Sequence, residues 1–576
     1  MDRVRPKLII VVVWQGWLLR TLNPLLLRVG VMLTSRNHPV GNFSRVPVEG
    51  YYRSLERLNE FVLQLPCART FPRSCCLNRL DEEARIRLQR QLVLRAFTEE
   101  WTFSSMVASA YPQIRRCDLT ITNARFRLRR IRAVARWRGF RTLSWVAKNI
   151  VKTLVGPRQC NEKPIKKPIT MVWGSVPLVE WMDGDPRRVS LPRFLSEVAG
   201  HLGLDPDEIW VGEYGRLTHC SGRSRAPLKI APREAVRVFV EAAGAFVRVL
   251  LGFGSRDGSV LAMAESARYS WSACWIRRIR PRCVTGTVSD VSCDPPLVVA
   301  GRMHHIPACW IAYASLNVPS AAGPVWDDLE PGYRYLLYSH YVVWGESIAR
   351  LFRRYAAQGA EVLVSGPMIF APDGGAERTH RQNGMLRIGI FDIPPPPSEL
   401  VASIGIGRSW STLEASEAFY ADILDAVREL PMAAELVIKP KRMQTSSIVM
   451  RGYAELLQRV QERASVRVHL CDAGENPWTV MANVDAMISM PFTSPTSMGV
   501  ALGLPSIFYA SSTDVRPGRH TLDGDRLVTG REALTAWLRR ACADQGRSRQ
   551  AYSGTRQLAR VLAGVIGLTA DGPTSS

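Results

Sequence analysis

The sequence has no uninterrupted apolar run long enough to cross a bilayer. Its most apolar stretch, residues 8–33, is broken by Arg20, Pro24 and Arg28. A spanning helix needs about 20 mostly uncharged residues, and a central Arg costs about 2.5–3.5 kcal/mol on insertion scales. No small-residue cleavage site follows clearly, so a signal peptide is not expected. The stretch reads either as an amphipathic helix lying in a membrane interface or as a core strand followed by a helix. Paired cysteine motifs are also missing. The 12 cysteines include no Cys-x-x-Cys, and only Cys75 and Cys76 adjoin. That spacing excludes a small disulfide framework and a zinc signature, and it points to reduced thiols in a cytoplasmic protein. His304 and His305 have no third ligand at metal spacing, so no metal is assigned.

Acidic residues are scarce in one region. Residues 1–167 hold 32 of the 75 Lys and Arg but only 11 of the 51 Asp and Glu, so nearly all of the formal net charge of +24 sits there. The densest run, 125–141, carries eight arginines with Phe126, Leu128, Ile131, Val134, Trp137 and Phe140 interleaved. Steps of three and four recur, as on an amphipathic helix. Such a face suits an anionic membrane, nucleic acid, an acidic partner or plain solvent. The absence of a helix-turn-helix, zinc finger or RNP-type motif argues against sequence-specific nucleic-acid reading. The remaining composition is ordinary for a globular protein, with 46% hydrophobic and 22% charged residues, and 576 residues call for several domains.

After a Pro- and Lys-rich linker at 156–168 the texture changes. Short apolar runs alternate with amphipathic stretches, which predicts an α/β fold of parallel sheets under covering helices. Strands are expected at 169–174, 296–300, 308–312, 335–338, 361–364, 386–392, 435–438, 466–470, 485–490 and 506–509. Helices are expected at 191–202, 235–249, 260–277, 347–358, 412–430 (capped by Ser411), 453–463, 477–483, 495–502 and 531–543. Residues 1–167 form a basic, mainly helical N-terminal region, the two following domains cover 168–346 and 347–546, and 547–576 reads as a polar tail.

The segment 490–499 carries the most chemistry: a strand end, a hydroxyl-rich turn, then a helix start with Ser494 as cap and Pro495 in the first turn. A helix start at the carboxyl end of parallel strands offers free N–H donors and partial positive charge, which suits phosphate. Thr493, Ser494, Thr496 and Ser497 would add hydroxyls. Lys439, Lys441 and Arg442 stand at another strand end, where cations suit a diphosphate. Asp392 ends a third strand, and reads as a loop cap before it reads as a catalytic or ribose-binding carboxylate. His340 and Glu346 are the remaining candidates for general base, each more often structural.

Val343-Trp344-Gly345, Ser365-Gly366-Pro367, Ile390-Phe391-Asp392, Lys439-Pro440-Lys441-Arg442, the run 488–494 and Leu504-Pro505-Ser506-Ile507-Phe508-Tyr509 follow one another in an order that resembles bacterial surface carbohydrate (O-antigen type) biosynthesis proteins. These are glycosyltransferases similar to the GT-B class. The resemblance covers about 335–515. It implies two Rossmann-like domains facing across a cleft, with acceptor and base on the first and a nucleotide-sugar donor on the second. Lys439, Lys441, Arg442 and the 493–497 turn would meet the donor phosphates, with no cofactor beyond the donor substrate. Where related proteins carry a Gln-His pair, this chain has Tyr313-Ala314-Ser315. The implied role is transfer of a sugar to a lipid-linked or polysaccharide acceptor at the inner face of the plasma membrane, held there by residues 1–167. Two rivals stand beside it, a nucleotide-sugar epimerase on the same architecture and a non-catalytic basic scaffold.

Overall fold

The computed structural model describes residues 9–12, 31–34, most of 59–95, 124–155, 169–172 and, with gaps, 191–568. Strands β1 (Ile9–Val12) and β2 (Val31–Thr34) pair in parallel. The opening of the apolar stretch is therefore strand and not interfacial helix, in keeping with the β-branched run Ile9-Ile10-Val11-Val12. Residues 13–30 lie outside the described residues.

Helices α1 (82–95) and α2 (Ala124–Val155) follow. The first sheet is built from β3 (Ile169–Val172), β4 (Ile209–Glu213), β5 (Arg216–His219), β6 (Arg225–Ala226), β7 (Cys283–Gly286), β8 (Ala308–Ile311), β10 (His340–Val343) and β11 (Glu361–Val364). Its order is β11-β10-β8-β7-β3-β4-β5-β6, parallel from β11 to β4, with β5 and β6 as an antiparallel edge. The helices of this half are α3 (Leu191–His201), α4 (Pro232–Leu250), α5 (Ser259–Ile279), α6 (Pro296–Met303) and α7 (Glu346–Tyr355). The run at 296–300, expected as a strand, is α6. Pro296 in the first turn presets the helical φ, and Leu297, Val298, Val299 and Ala300 are all buried. An apolar run buried on every side gives no period by which to tell helix from strand. Of residues 335–338, also expected as a strand, Tyr335 ends a 3-10 turn (Pro331–Tyr335) and the rest leads without regular structure to β10.

The basic helix α2 packs on α4 and α5. Trp145 meets Trp271 edge-on at 5.6 Å, and the Arg138 Nη1 donates to Glu265 Oε1 at 2.8 Å inside the packed layer. Arg87 of α1 donates to the carbonyls of Arg334, Tyr355 and Ala356, closing the end of α7. Helices α1 and α2 of the first 167 residues thus lie against the first domain.

The second sheet holds β12 (Met385–Asp392), β13 (Ala433–Pro440), β14 (Arg467–Leu470), β15 (Ala486–Ser489), β16 (Ser506–Ala510) and β18 (Leu527–Thr529), all parallel, in the order β14-β13-β12-β15-β16-β18. Numbered within the domain this is 3-2-1-4-5-6, the Rossmann order, with its switch point between β12 and β15. One face carries α8 (Leu413–Arg428), α9 (Ile448–Arg463) and α12 (Arg531–Ala543), whose Ile423, Leu457 and Leu534 share a core with Ile388 and Ile438. Residues of α10 (Pro477–Ala482) and α11 (Ser494–Ala501), among them Trp478 and Met498, join the core of the first domain. Two short strands bridge the domains, β9 (Pro319–Ser320) pairing antiparallel with β17 (Arg516–Pro517). Residues expected as a polar tail contain α13 (Gly554–Ile566), whose Leu558, Ala559, Leu562 and Val565 are buried in the first domain's core.

Candidate functional site

The carboxyl edge of the second sheet faces the first domain. At this edge a crevice of about 270 Å³ opens between the start of α8 (Thr412, Glu414, Ala415), the segment after β15 (Met490, Pro491) and the segment after β16 (Ser511, Ser512, Val515). Thr412, not Ser411, is the cap of α8, and its Oγ1 accepts from Ala415 N–H at 3.1 Å. The first-turn N–H groups of a helix have no intrahelical partner. Those of α8 not taken up by the Thr412 cap combine here with hydroxyls and one exposed carboxylate, a donor and acceptor set that suits a polar ligand. Sequence reasoning missed Glu414, Ser511 and Ser512. The signal available was Ser511-Ser512-Thr513 directly after a strand.

The chain leaves β15 through Met490-Pro491-Phe492-Thr493-Ser494. Phe492 has φ +60°, a left-handed conformation that an aromatic residue adopts at a steric cost. Its ring lies 5.6 Å from that of Phe508, in a small core with Ala510 and Val515. The Thr493 hydroxyl donates to Met490 O at 2.9 Å and closes the turn. Thr493 is the cap position of α11 and Ser494 its first residue, one step earlier than expected. Ser494 Oγ instead reaches the first domain, accepting from Ser315 N–H at 3.3 Å. Ser315 belongs to the segment after β8 where related proteins were expected to carry Gln-His. Thr496 is buried and bonded to Ser489 Oγ and Ile507 O, so it ties α11 to β15 and β16. Ser497 Oγ is buried without a protein partner.

The cations divide. Lys439 is buried, and its ammonium donates to Pro440 O at 3.0 Å and to Ala473 O at 2.7 Å. Burial pushes its pKa down, partly offset by Cys471, Glu475, Asp472 and Asp392. It is a strut across the ends of β13 and β14 and does not present its charge to the crevice. Lys441 is exposed just beyond β13, and Arg442 lies outside the described residues.

Asp392 is buried at the end of β12. Its Oδ2 accepts from Tyr420 of α8 at 2.6 Å and from Tyr453 of α9, while Oδ1 has no protein partner. Burial raises its pKa to about 6, and the two tyrosine hydroxyls and Lys439 hold it from rising further. The carboxylate fastens two helices beneath the switch point; it does not cap the following loop. His340 opens β10 at the amino edge of the first sheet, the edge away from the crevice. It bonds Ser339 Oγ at 2.9 Å, and burial lowers its pKa. Glu346 sits on the cleft side of β10, but it is exposed and paired with Arg353, which lowers its pKa. A raised pKa through desolvation, the property that would have made it a base, is not what its surroundings give. Thr285 and Thr287, buried at the carboxyl end of β7 without protein partners for their hydroxyls, are polar groups of the first domain's edge that the sequence did not single out. Among the described residues no group of three His, Cys, Asp or Glu is placed to hold a metal ion.

These features define a two-domain α/β protein with a crevice of mixed apolar and polar lining at the carboxyl edge of a Rossmann-type sheet. Residues 296–538 match the family model described as polysaccharide biosynthesis PFTS motif protein. The matched segment contains Pro491-Phe492-Thr493-Ser494, P-F-T-S in one-letter code, and the match bears out the resemblance to surface carbohydrate biosynthesis proteins. No curated protein sequence matches. Similar solved structures include the UDP-GlcNAc 2-epimerase from Neisseria meningitidis bound to UDP-GlcNAc (12% identity, 69% of this chain and 99% of that one, TM-score 0.38). They also include the lipopolysaccharide outer core galactosyltransferase WaaB (10%, 69% and 94%, 0.34) and the Acinetobacter baumannii MurG (11%, 69% and 99%, 0.31).

Proposed function

We propose that this protein is a GT-B-like glycosyltransferase that moves a sugar from a nucleotide-sugar to a lipid-linked or polysaccharide acceptor in surface polysaccharide synthesis of the O-antigen type. The observation that carries this reading is the crevice at the carboxyl ends of β15 and β16 and the start of α8, beside the 491–494 turn. The nucleotide occupies the crevice, with Glu414 toward the ribose hydroxyls and the first-turn N–H groups of α8 and α11 toward the diphosphate. Those N–H groups, with Lys441 beyond the end of β13, stabilise the charge that builds on the leaving diphosphate. The acceptor enters from the first domain. The protein works in the cytoplasm at the inner face of the plasma membrane, where the cations of residues 1–167 meet anionic lipid.

Calorimetric titration with a panel of nucleoside mono- and diphosphates tests the reading, comparing the native chain with Glu414→Ala/Ser511→Ala. Saturable binding of one nucleotide, weakened about tenfold or more in the variant, is expected; such a loss corresponds to about 1.4 kcal/mol. A folded protein that binds none of the panel refutes the donor site. Product analysis then separates transfer from epimerisation, since an epimerase needs no acceptor.

A further inference from the structure

Helix α4 is apolar on two sides. Ala235, Val238, Ala242 and Val249 face the protein and are buried. At 3.6 residues per turn, Val236, Val240, Val247 and the cap residue Leu251 fall on a second stripe, and each is more than half exposed. Phe239 and Leu250 widen it. The neighbouring α2 adds Phe140, itself half exposed, beside Phe246 at a ring distance of 6.5 Å. Scattered exposed apolar residues are normal, but a continuous stripe on one helix marks an interaction surface.

The charges around the stripe favour one occupant. Both acids of α4 turn to partners within the protein: Glu234 to Arg277, and Glu241 to Ser270 Oγ at 2.6 Å. On the helical wheel Arg233, Arg237 and Arg248 line one flank of the stripe. On the other flank α2 contains no acidic residue in 32, and its Arg136, Arg141 and Lys148 are exposed. An apolar strip about 22 Å long between two cationic borders matches the boundary of an anionic bilayer, where acyl chains meet phosphate headgroups. We propose that α4 lies on the surface of an anionic membrane and inserts Val236, Val240, Val247 and Leu251 below the headgroups, with α2 as its electrostatic border. This deepens the membrane part of the functional reading. It moves the apolar anchor out of residues 1–167 and onto a helix of the first domain.

The full chain is tested by co-sedimentation with vesicles of mixed phosphatidylethanolamine and phosphatidylglycerol, and with vesicles of phosphatidylcholine alone. Val240→Glu/Val247→Glu should weaken binding to the anionic vesicles by about tenfold or more, while Val240→Leu retains it and nucleotide affinity and Tm stay unchanged. Arg136→Gln/Arg141→Gln should weaken binding in a salt-dependent way. Undiminished binding of the Val→Glu variant, with loss only in the arginine variant, overturns the insertion and leaves adsorption by the basic region standing. If the native chain ignores anionic vesicles, both membrane readings fall together. A concentration-dependent dimer abolished by Val240→Glu would assign the stripe to a second copy and also overturn the proposal.

Discussion

At the scale of single residues, Asp392 and Phe492 can be tested directly. Burial lifts the Asp392 carboxyl to about 6, above the usual carboxylate range. Between about pH 4 and pH 6 the folded chain therefore holds a proton that the unfolded chain has released, so stability falls as pH rises through that window and levels off above it. Asp392→Asn removes the titration while its amide oxygen still accepts from the two tyrosines. The difference in unfolding free energy, variant minus native, should climb by up to about 3 kcal/mol across the window and stay flat above pH 7. Denaturant titrations at a series of pH values measure it, and a difference that does not move with pH contradicts the assignment. Phe492 tests the turn. Alanine and glycine both lose the contact with Phe508, but only glycine tolerates φ +60° without strain. Phe492→Gly should therefore be more stable than Phe492→Ala by about 1–2 kcal/mol, although it is the smaller residue. The reverse order in urea melts would show that the left-handed backbone is not kept in solution. The sequence showed that this turn mattered, because strand, hydroxyls and Pro495 follow one another. It did not show which hydroxyls are spent internally. Thr496 and Lys439 look like ligand groups in one dimension but are bonded within the fold, since their partners, Ile507 O of β16 and Ala473 O beyond β14, are supplied by segments further along the chain.

At the scale of elements, the strands of the second sheet were legible because each is a short apolar run bounded by turn residues, and their parallel order follows from the helices between them. The Arg-rich helix was legible as a helix but not in its packing. Periodicity says that α2 has two faces, and it cannot say which arginine of the run turns inward. Arg138 and Glu265 do so, each with only 8% of its side chain exposed. Removing Arg138 takes from buried Glu265 its hydrogen-bonded cation and leaves Arg268 as a coulombic neighbour, a break that costs up to about 3–5 kcal/mol, whereas replacing both members by apolar groups of similar volume is close to neutral. Arg138→Met should therefore be strongly destabilising, and Arg138→Met/Glu265→Leu should recover most of the loss. Thermal unfolding of the three chains measures this, and a double variant as weak as the single one would show that the pair does more than neutralise itself. Helix α11 depends on a different constraint. A Cβ on Gly499 would stand 2.3 Å from Ser506 Oγ and 2.9 Å from Met487 Sδ, so only glycine lets the helix lie this close to β15 and β16.

At the scale of the whole molecule, the end of the chain returns to the first domain. Tyr552 stacks on Trp478 of the second domain at 5.2 Å and donates to Pro367 O in the segment between the domains. Helix α13 then packs against α3, with Leu558 and Leu562 fully buried. None of this was legible in the sequence. A 13-residue helix beyond the last strand has no local partner to predict, and its apolar face gains meaning only from a helix more than 350 residues earlier. The consequence is that the two domains are not joined by one crossing alone. The chain passes from first to second domain after β11 and back again at α13, so any change in the cleft's width must be accommodated at two places. Leu558→Ala/Leu562→Ala should cost about 4 kcal/mol or more, since each buried leucine truncated to alanine loses about 2–5 kcal/mol. The loss should fall on the first domain. Hydrogen exchange followed by mass spectrometry is expected to show faster exchange over 191–201, the partner of α13, with β12 and α12 of the second domain unchanged. Equal acceleration in both domains would mean that they unfold as one unit, and no acceleration at 191–201 would mean that α13 contributes little to closing the first core. The expected outcome makes the C-terminal helix a structural member of the first domain, so that truncations before residue 554 would disturb that domain before the second.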